Sequence, residues 1–253
     1  MAGSNREEQR PSSRDDIQEQ AWSFFDRVYC ISIRGRRDRR DQARRQFAAV
    51  GLQDRVEFVL VDRHLQDREQ GIFESHLQCL RQGLEAGART ILVFEDDVFF
   101  RNFDARLLAR ACGQLAVRSG WQALFLGCIT RGSRRTAEPS LVKIRYQCLA
   151  HAYGVSRSLA RQMVRERWSG IPYDTLLQRR ATDCYALYPM CAFQGLAGSD
   201  NQTVAIDRLR RLFGGLPFLQ RTNELYQNHK GMLITTHLAV FLLGLLAYRL
   251  WSS

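Results

Sequence analysis

The stretch T-I-L-V-F-E-D-D-V-F-F, from Thr90 to Phe100, decides the fold that we predict for this chain. Ile91 to Phe94 are β-branched, aliphatic and aromatic residues in a run too short for a helix, which predicts a buried strand. Three carboxylates, Glu95, Asp96 and Asp97, follow that strand directly. Adjacent carboxylates repel one another and lose hydration on burial, so they need a cation or several hydrogen-bond donors. The stretch therefore predicts either a site for a hard divalent cation, Mn²⁺ or Mg²⁺, or a solvated turn after a strand.

Strands and helices alternate before and within this stretch. Hydrophobic periodicity and glycine stops predict a strand, a helix, a strand, a helix and a strand at 27–33, 36–50, 56–61, 71–86 and 91–94. This order is typical of an α/β sheet with right-handed crossovers, in which ligands bind beyond the carboxyl ends of the strands. Asp62 and the three acids both follow a predicted strand directly. We therefore expect them at one edge of the sheet.

Composition and charge narrow the class of protein. The 253 residues, 45% hydrophobic and 25% charged, are typical of a globular chain with one good core. The net charge of +11 suits an anionic membrane, a phosphorylated substrate or nucleic acid. We expect no nucleic-acid partner, because the chain has no aromatic residues interleaved with the basic ones and no recognisable nucleic-acid motif. The seven cysteines form no C-x-x-C pair and no signal peptide is present, which favours the cytoplasm.

The two ends of the chain differ from its middle. Residues 1–21 are charged and rich in Ser and Gln, which predicts a disordered or weakly helical tail, and residues 22–206 then form one folded domain. Residues 207–231 are basic and interrupted by Gly and Pro, as in a juxtamembrane linker. Residues 232–251 predict a membrane anchor, with a buried or surface-lying helix as the alternative. We therefore expect a C-terminal membrane anchor with the folded domain in the cytoplasm.

Four motifs follow one another along the chain: V-Y-C-I-S-I-R-G-R-R-D-R-R at 28–40, G-I-F-E-S-H at 71–76, I-L-V-F-E-D-D-V at 91–98 and A-Y-G-V-S-R at 152–157. In this order they resemble glycosyltransferase family 25, which includes bacterial lipopolysaccharide galactosyltransferases and procollagen galactosyltransferases. The resemblance covers most of the chain outside its two ends, and Gly35 departs from the usual family sequence. It implies a GT-A-like α/β fold with a mixed sheet flanked by helices. It also implies a UDP-sugar donor, usually UDP-galactose, a glycan acceptor and inversion at the anomeric carbon.

The donor diphosphate carries negative charge that a bridging divalent ion neutralises as the glycosidic bond breaks. By resemblance to GT-A enzymes, Asp97 binds Mn²⁺ or Mg²⁺ with help from Glu95, and Asp96 is able to share that duty. Further donor contacts are predicted for basic residues beyond the first strand, for the acid after the second strand and for a Ser-His pair in the predicted helix at 71–86: Arg34, Arg37, Arg40, Asp62, Ser75 and His76. The alternatives are a solvated helical face for the arginines and a structural role for the histidine.

An inverting transferase needs a base that takes the proton of the acceptor hydroxyl. Asp174, in I-P-Y-D-T-L-L at 171–177, matches an acid of the family pattern and is the predicted base, with Asp200 as the second candidate. A helix cap for Asp174 and an Asx turn for Asp200 are the alternatives. The basic loop at 131–139 is either a cover for the donor or an ordinary connection.

Together these inferences predict an inverting hexosyltransferase that moves galactose or another hexose from a UDP-sugar to a lipid-linked or lipopolysaccharide-type glycan. Two alternatives stay open. One is a catalytically inactive glycosyltransferase-fold protein that serves as a membrane-tethered interaction module. The other is a basic nucleic-acid-binding protein.

Overall fold

The structure is a computed structural model that describes residues 14–195 and 215–252. The strands in these ranges are β1 (Arg27–Ile33), β2 (Val56–Val61), β3 (Thr90–Glu95), β4 (Val98–Phe100), β5 (Ala123–Arg135), β6 (Leu141–Ser156), β7 (Cys184–Leu187) and β8 (Ala192–Gln194). The helices are α1 (Arg14–Trp22), α2 (Arg37–Ala49), α3 (Arg68–Glu85), α4 (Ala105–Ala116), α5 (Arg157–Met163), α6 (Tyr173–Arg180) and α7 (Gly215–Ser252).

A six-stranded mixed sheet forms the centre, with strand order β2-β1-β3-β6-β5-β7. β1 pairs in parallel with both β2 and β3, whereas β6 runs antiparallel between β3 and β5. The predicted strand–helix alternation and the mixed α/β sheet are confirmed. Because β1, β2 and β3 are parallel, their carboxyl ends lie at one edge of the sheet, and the acids that follow β3 are at this edge.

β3 lies in the middle of the core because both of its faces are covered. Ile91 and Val93 pack in the cluster under α3, α5 and α6, and Leu92 and Phe94 pack in the cluster under α1, α2 and α4. All four side chains are fully buried. This burial on two faces explains the unbroken apolar run, since a strand with one solvated face would alternate apolar and polar residues.

A second, two-stranded sheet forms where the chain leaves the acids. β4 pairs antiparallel with β8, and Val98 lies opposite Gln194. This pairing brings residues from late in the chain beside the turn that follows β3. The pairing continues past the strand end, where the backbone N–H of Gly195 donates to the carbonyl oxygen of Asp97 at 2.7 Å. A Cβ at Gly195 would lie 2.8 Å from that same oxygen, so this approach requires glycine.

The prediction of a basic loop at 131–139 is wrong for most of that range. β5 continues to Arg135 and β6 begins at Leu141, so only residues 136–140 connect the two strands. The strands stay paired through this region, with irregular register between Phe125 and Gly132. A cross-strand ladder therefore satisfies backbone groups that we expected to face solvent in a loop.

Helices lie at both ends of the described ranges, α1 at the start and α7 at the end. Ala21 and Trp22 of α1 are fully buried, and the indole N–H of Trp22 donates to the carbonyl oxygen of Val50 at 2.8 Å. The segment predicted as a linker, 207–231, is helical from Gly215 onward. Within the described ranges no helix combines the length and the apolar composition needed to cross a bilayer, so the anchor predicted at 232–251 is not supported.

Candidate functional site

The three acids take different positions at the end of β3. Glu95 is the last residue of the strand, and Asp96 and Asp97 form the turn into β4. Asp96 is only 9% exposed and accepts a hydrogen bond from the Ser32 hydroxyl at 2.7 Å, which ties the turn to the end of β1. Glu95 and Asp97 both face Gln194 of β8. The cluster thus divides into one anchored carboxylate and a pair of carboxylates that share a neighbour.

Gln194 links this pair. Its side-chain Nε2 donates to Oε2 of Glu95 at 3.4 Å and to Oδ2 of Asp97 at 3.3 Å. The other oxygen of Asp97, Oδ1, is buried and accepts no hydrogen bond from any residue in the described ranges. A buried oxygen without a donor is costly in a carboxylate, and a cation is the ligand that would relieve this cost.

Burial and repulsion by neighbouring carboxylates raise the pKa values of Glu95 and Asp97. The pKa of Asp97 rises to about 7 because the group is buried and because Glu95 is close, while Arg39 opposes the rise. The pKa of Glu95 rises to about 8 through burial, then through the charges of Asp174 and Asp96. Both groups therefore bind protons near neutral pH, and a divalent cation would compete with those protons.

The residues present fit a hard cation in part. Glu95 and Asp97 offer carboxylate oxygens, the donor type that Mn²⁺ and Mg²⁺ prefer. However, the described ranges contain no group of three His, Cys, Asp or Glu side chains arranged to hold a metal ion. A cation held by this pair would therefore need water or substrate oxygens to complete its coordination.

His76 of α3 lies beside Glu95. Its Nε2 is 3.4 Å from Oε1 of Glu95, its Nδ1 is 3.0 Å from the hydroxyl of Tyr153, and its ring stacks on Tyr173 with centroids 4.1 Å apart. Burial lowers the pKa of His76 to about 4, so the imidazole is neutral at pH 7. The hydroxyls of Tyr153 and Tyr173 are 2.7 Å apart. His76 therefore packs against the site as a neutral ring and connects Glu95 to α6.

Asp174 lies in the first turn of α6, and its carboxylate is directed at β6. Oδ1 accepts from the Tyr146 hydroxyl at 2.5 Å and from the backbone N–H of Ala150 at 3.1 Å, and Oδ2 accepts from the N–H of Leu149 at 2.9 Å. Leu149 has φ of +74°, an uncommon conformation for a non-glycine residue. Asp174 therefore stabilises the positive-φ conformation of β6 at Leu149, and it lies close enough to the site for its charge to raise the pKa of Glu95.

Arg34, Asp62 and Ser75 make their hydrogen bonds with one another or with backbone groups, and not with the three acids. Nε of Arg34 is 3.3 Å from Oδ1 of Asp62, and these side chains are 60% and 80% exposed. Arg37 is exposed at the start of α2. Ser75 donates to a carbonyl oxygen one turn earlier in its own helix at 2.5 Å. Asp200 lies outside the described residues.

Arg39, which we did not predict, forms ion pairs with two of the acids. Its Nη1 is 3.4 Å from Oδ1 of Asp96 and 3.9 Å from Oδ2 of Asp97. Arg40, which we did predict, is 8% exposed, and its Nη1 donates to the carbonyl oxygen of Ile33 at 2.8 Å. The difference follows from helical phase, because Arg40 shares the buried face of α2 with Ala43.

Comparisons with known proteins add little to this geometry. No protein-family model and no curated protein matches the chain. The resemblance to glycosyltransferase family 25 therefore rests on the four motifs alone.

Three solved structures show a distant likeness to the chain. A197 from STIV has 13% identity and a TM-score of 0.41 over 66% of this chain and 85% of its own. Mannose-1-phosphate geranyltransferase from Thermus thermophilus has 11% identity and a TM-score of 0.38, over 63% of this chain and 72% of its own. A glycosyltransferase involved in the glycosylation of the major capsid of PBCV-1 has 8% identity and a TM-score of 0.40, over 63% of this chain and 79% of its own. Likeness at these TM-scores carries no argument about activity.

Proposed function

We propose that this chain is a glycosyltransferase that transfers a hexose, expected to be galactose, from a UDP-sugar to a glycan or glycolipid acceptor with inversion. The observation that carries the proposal is the pair Glu95 and Asp97 at the carboxyl end of β3. This pair is drawn together by Gln194, its pKa values are raised, and Oδ1 of Asp97 is buried without a hydrogen-bond donor. The resemblance of the four motifs supports the choice of donor and acceptor.

Glu95 and Asp97 would hold Mn²⁺ or Mg²⁺ in this proposal. When bound, the ion supplies charge neutralisation for the leaving diphosphate. The protein's part is to keep the two carboxylates in place. Gly195 fixes the backbone of Asp97, and His76 packs beside Glu95 as a neutral ring that adds no charge to the site. Fixed geometry of this kind reduces the reorganisation that is needed during the reaction.

Asp174 remains our proposed base for the acceptor hydroxyl. Oδ2 accepts one hydrogen bond, from Leu149, whereas Oδ1 accepts two, so Oδ2 has the free lone pair that a hydroxyl proton needs. We expect Asp174→Asn to lower kcat by ~100-fold or more while the affinity for UDP stays unchanged. Tyr146→Phe is the matched control, because it removes one hydrogen bond to Asp174 and keeps the carboxylate. Equal loss of kcat in both variants would indicate that Asp174 only supports β6.

One observation favours a second candidate, an inactive glycosyltransferase-fold interaction module. In the described ranges no three potential ligands converge on a metal position, and the guanidinium of Arg39 already lies among the acids. The positive charge of the Arg39 guanidinium would stabilise the acids in a protein that never binds a metal ion.

Calorimetry on the full chain separates the two candidates. UDP, GDP, ADP and UDP-galactose are titrated with and without Mn²⁺ into the wild type, into Asp97→Asn and into the control Asp54→Asn, which removes an exposed carboxylate before β2. The transferase proposal predicts UDP binding that requires both Mn²⁺ and Asp97, together with release of UDP from UDP-galactose when an acceptor is present. Absence of any nucleotide response in the wild type would overturn it and favour the inactive module.

A further inference from the structure

The position of Arg39 is fixed by its neighbour on α2. Arg40 is buried, and its Nη1 donates to the carbonyl oxygen of Ile33 at 2.8 Å and to the Ser32 hydroxyl at 3.4 Å. These bonds attach the first turns of α2 to the end of β1. Arg39 lies next to Arg40 in this attached turn of α2. Its side chain is 13% exposed and extends over the turn that carries Asp96 and Asp97. The guanidinium is therefore held at the acids by the fold.

Arg39 makes unequal contacts with the two aspartates. Its Nη1 is within hydrogen-bond distance of Oδ1 of Asp96, at 3.4 Å, but is 3.9 Å from Oδ2 of Asp97. The second contact is an ion pair without a hydrogen bond. A cation bound to Asp97 would repel the guanidinium and would replace this contact at little cost, whereas the bond to Asp96 would remain. Arg39 is thus able to turn away from Asp97 while it stays anchored.

A nucleoside diphosphate brings further negative charge to a cluster that already has three carboxylates. One divalent cation does not neutralise all of these charges. A guanidinium has planar N–H donors that match phosphate oxygens, and it stays charged at every physiological pH. Arg39 forms ion pairs with Asp96 and Asp97, and these contacts place its guanidinium directly at the acids.

We propose that Arg39 binds the diphosphate group of the nucleotide donor and releases Asp97 to the cation in doing so. This inference rests on the proposed function and adds to it the residue that recognises the leaving group. Arg39 consequently acts on the two ligands with opposite signs, because it competes with the cation for Asp97 and cooperates with the cation at the diphosphate. If Arg39 only supported the turn, its replacement would weaken the binding of both the cation and the diphosphate.

The test uses the full chain with three substitutions. Arg39→Gln removes the charge, Arg39→Lys keeps the charge without the planar donors, and Arg45→Gln is the control from the same helix at an exposed position. Calorimetry measures the Kd of Mn²⁺ alone, then the Kd of UDP and of inorganic pyrophosphate at saturating Mn²⁺. Circular dichroism confirms that each variant is folded. Pyrophosphate is included because it isolates the diphosphate from the nucleoside.

We expect Arg39→Gln to bind Mn²⁺ more tightly than the wild type, and to bind UDP and pyrophosphate ~10-fold or more weakly, since one charged hydrogen-bonding group is lost. The affinities of Arg39→Lys should fall between those of Arg39→Gln and the wild type, and Arg45→Gln should match the wild type. Three results for Arg39→Gln would overturn the inference. They are an unchanged affinity for both UDP and pyrophosphate, a weaker affinity for UDP with an unchanged affinity for pyrophosphate, or a weaker affinity for both Mn²⁺ and UDP. If the wild type binds no UDP, the proposed function itself fails and this inference fails with it.

Discussion

Replacing Asp97 by Asn in the metal-free protein should stabilise the fold, and the gain should depend on pH. The folded protein raises the pKa of Asp97 from 3.8 to about 7. The folded state therefore holds this proton more tightly than the unfolded state does, so the carboxyl costs nothing below pH 4 and its cost grows as the pH rises towards 7. Above pH 7 the full shift corresponds to roughly 4 kcal/mol, at about 1.4 kcal/mol for each pKa unit.

Part of that cost belongs to repulsion shared with Glu95, so we expect about 2 kcal/mol from the single substitution at pH 8. For a chain of this size, this free energy corresponds to a rise in Tm of ~4–8 °C. The assay is thermal and urea unfolding in EDTA at pH 8 and at pH 4.5, with Asp62→Asn as the control because that carboxylate is 80% exposed. A gain at pH 8 that shrinks at pH 4.5 supports the reasoning. A loss of stability at pH 8, or a gain that is independent of pH, would refute it.

Three further predictions concern the framework around the site. Gly127→Ala should destabilise the fold by ~3 kcal/mol or more, because the added Cβ would clash with the carbonyl oxygen of Ala192. Urea unfolding measures this loss of stability, and a loss below ~1 kcal/mol would contradict the close contact. Leu149→Gly should raise the free energy of unfolding by ~0.5–1 kcal/mol, because φ is +74° there, and a lower Tm than the wild type would contradict it. Glu224→Ala should lower the free energy of unfolding by ~2–3 kcal/mol, because the buried N–H of Met190 loses the carboxylate that accepts its hydrogen bond at 2.6 Å. Glu224→Gln keeps an acceptor and should lower it less. Equal losses of stability for the two variants in differential scanning calorimetry would argue against this role.

The parallel half of the sheet was predictable because its signals are local. Four consecutive apolar residues indicate β3, since this strand is buried on both faces. The helices on either side carry periodic apolar residues and end near glycines, as at Gly51 and Gly87, where φ is positive. The acids could be placed at the sheet edge for the same reason, because a carboxyl-terminal strand end is fixed by strand direction alone.

Gln194 could not be predicted, because its place at the site depends on pairing between β4 and β8, which are far apart in the sequence. The choice among the arginines failed for a different reason. Arg37, Arg39 and Arg40 belong to one basic run, and only the rotation of α2 determines which of them is buried, exposed or directed at the acids. The buried positions Ala43 and Phe47 define that rotation, so helical phase would have marked Arg40 as part of the inner face.

The C-terminal segment shows how composition misleads when packing is unknown. Residues before 231 are rich in Arg and interrupted by Gly and Pro, which favoured a linker. In the structure Asn223 accepts from the backbone N–H of Thr130 at 2.9 Å and donates to its carbonyl oxygen at 3.0 Å, and Gln220 donates to the carbonyl oxygen of Ala192 at 2.8 Å. Side-chain amides that bond a strand backbone fix α7 on β5 and β8, and such contacts leave no periodic apolar signal in the sequence.

We propose that the acids at the carboxyl end of β3 hold a divalent cation that binds the diphosphate of a nucleotide. Electron paramagnetic resonance of Mn²⁺ tests it most directly, because the signal of the free hydrated ion is lost when the ion is bound. We predict that the full chain removes the free Mn²⁺ signal, that UDP strengthens this binding, and that Asp97→Asn abolishes it while the exposed control Asp54→Asn does not. A free Mn²⁺ signal that is unchanged by the wild-type protein, with or without UDP, would contradict the account.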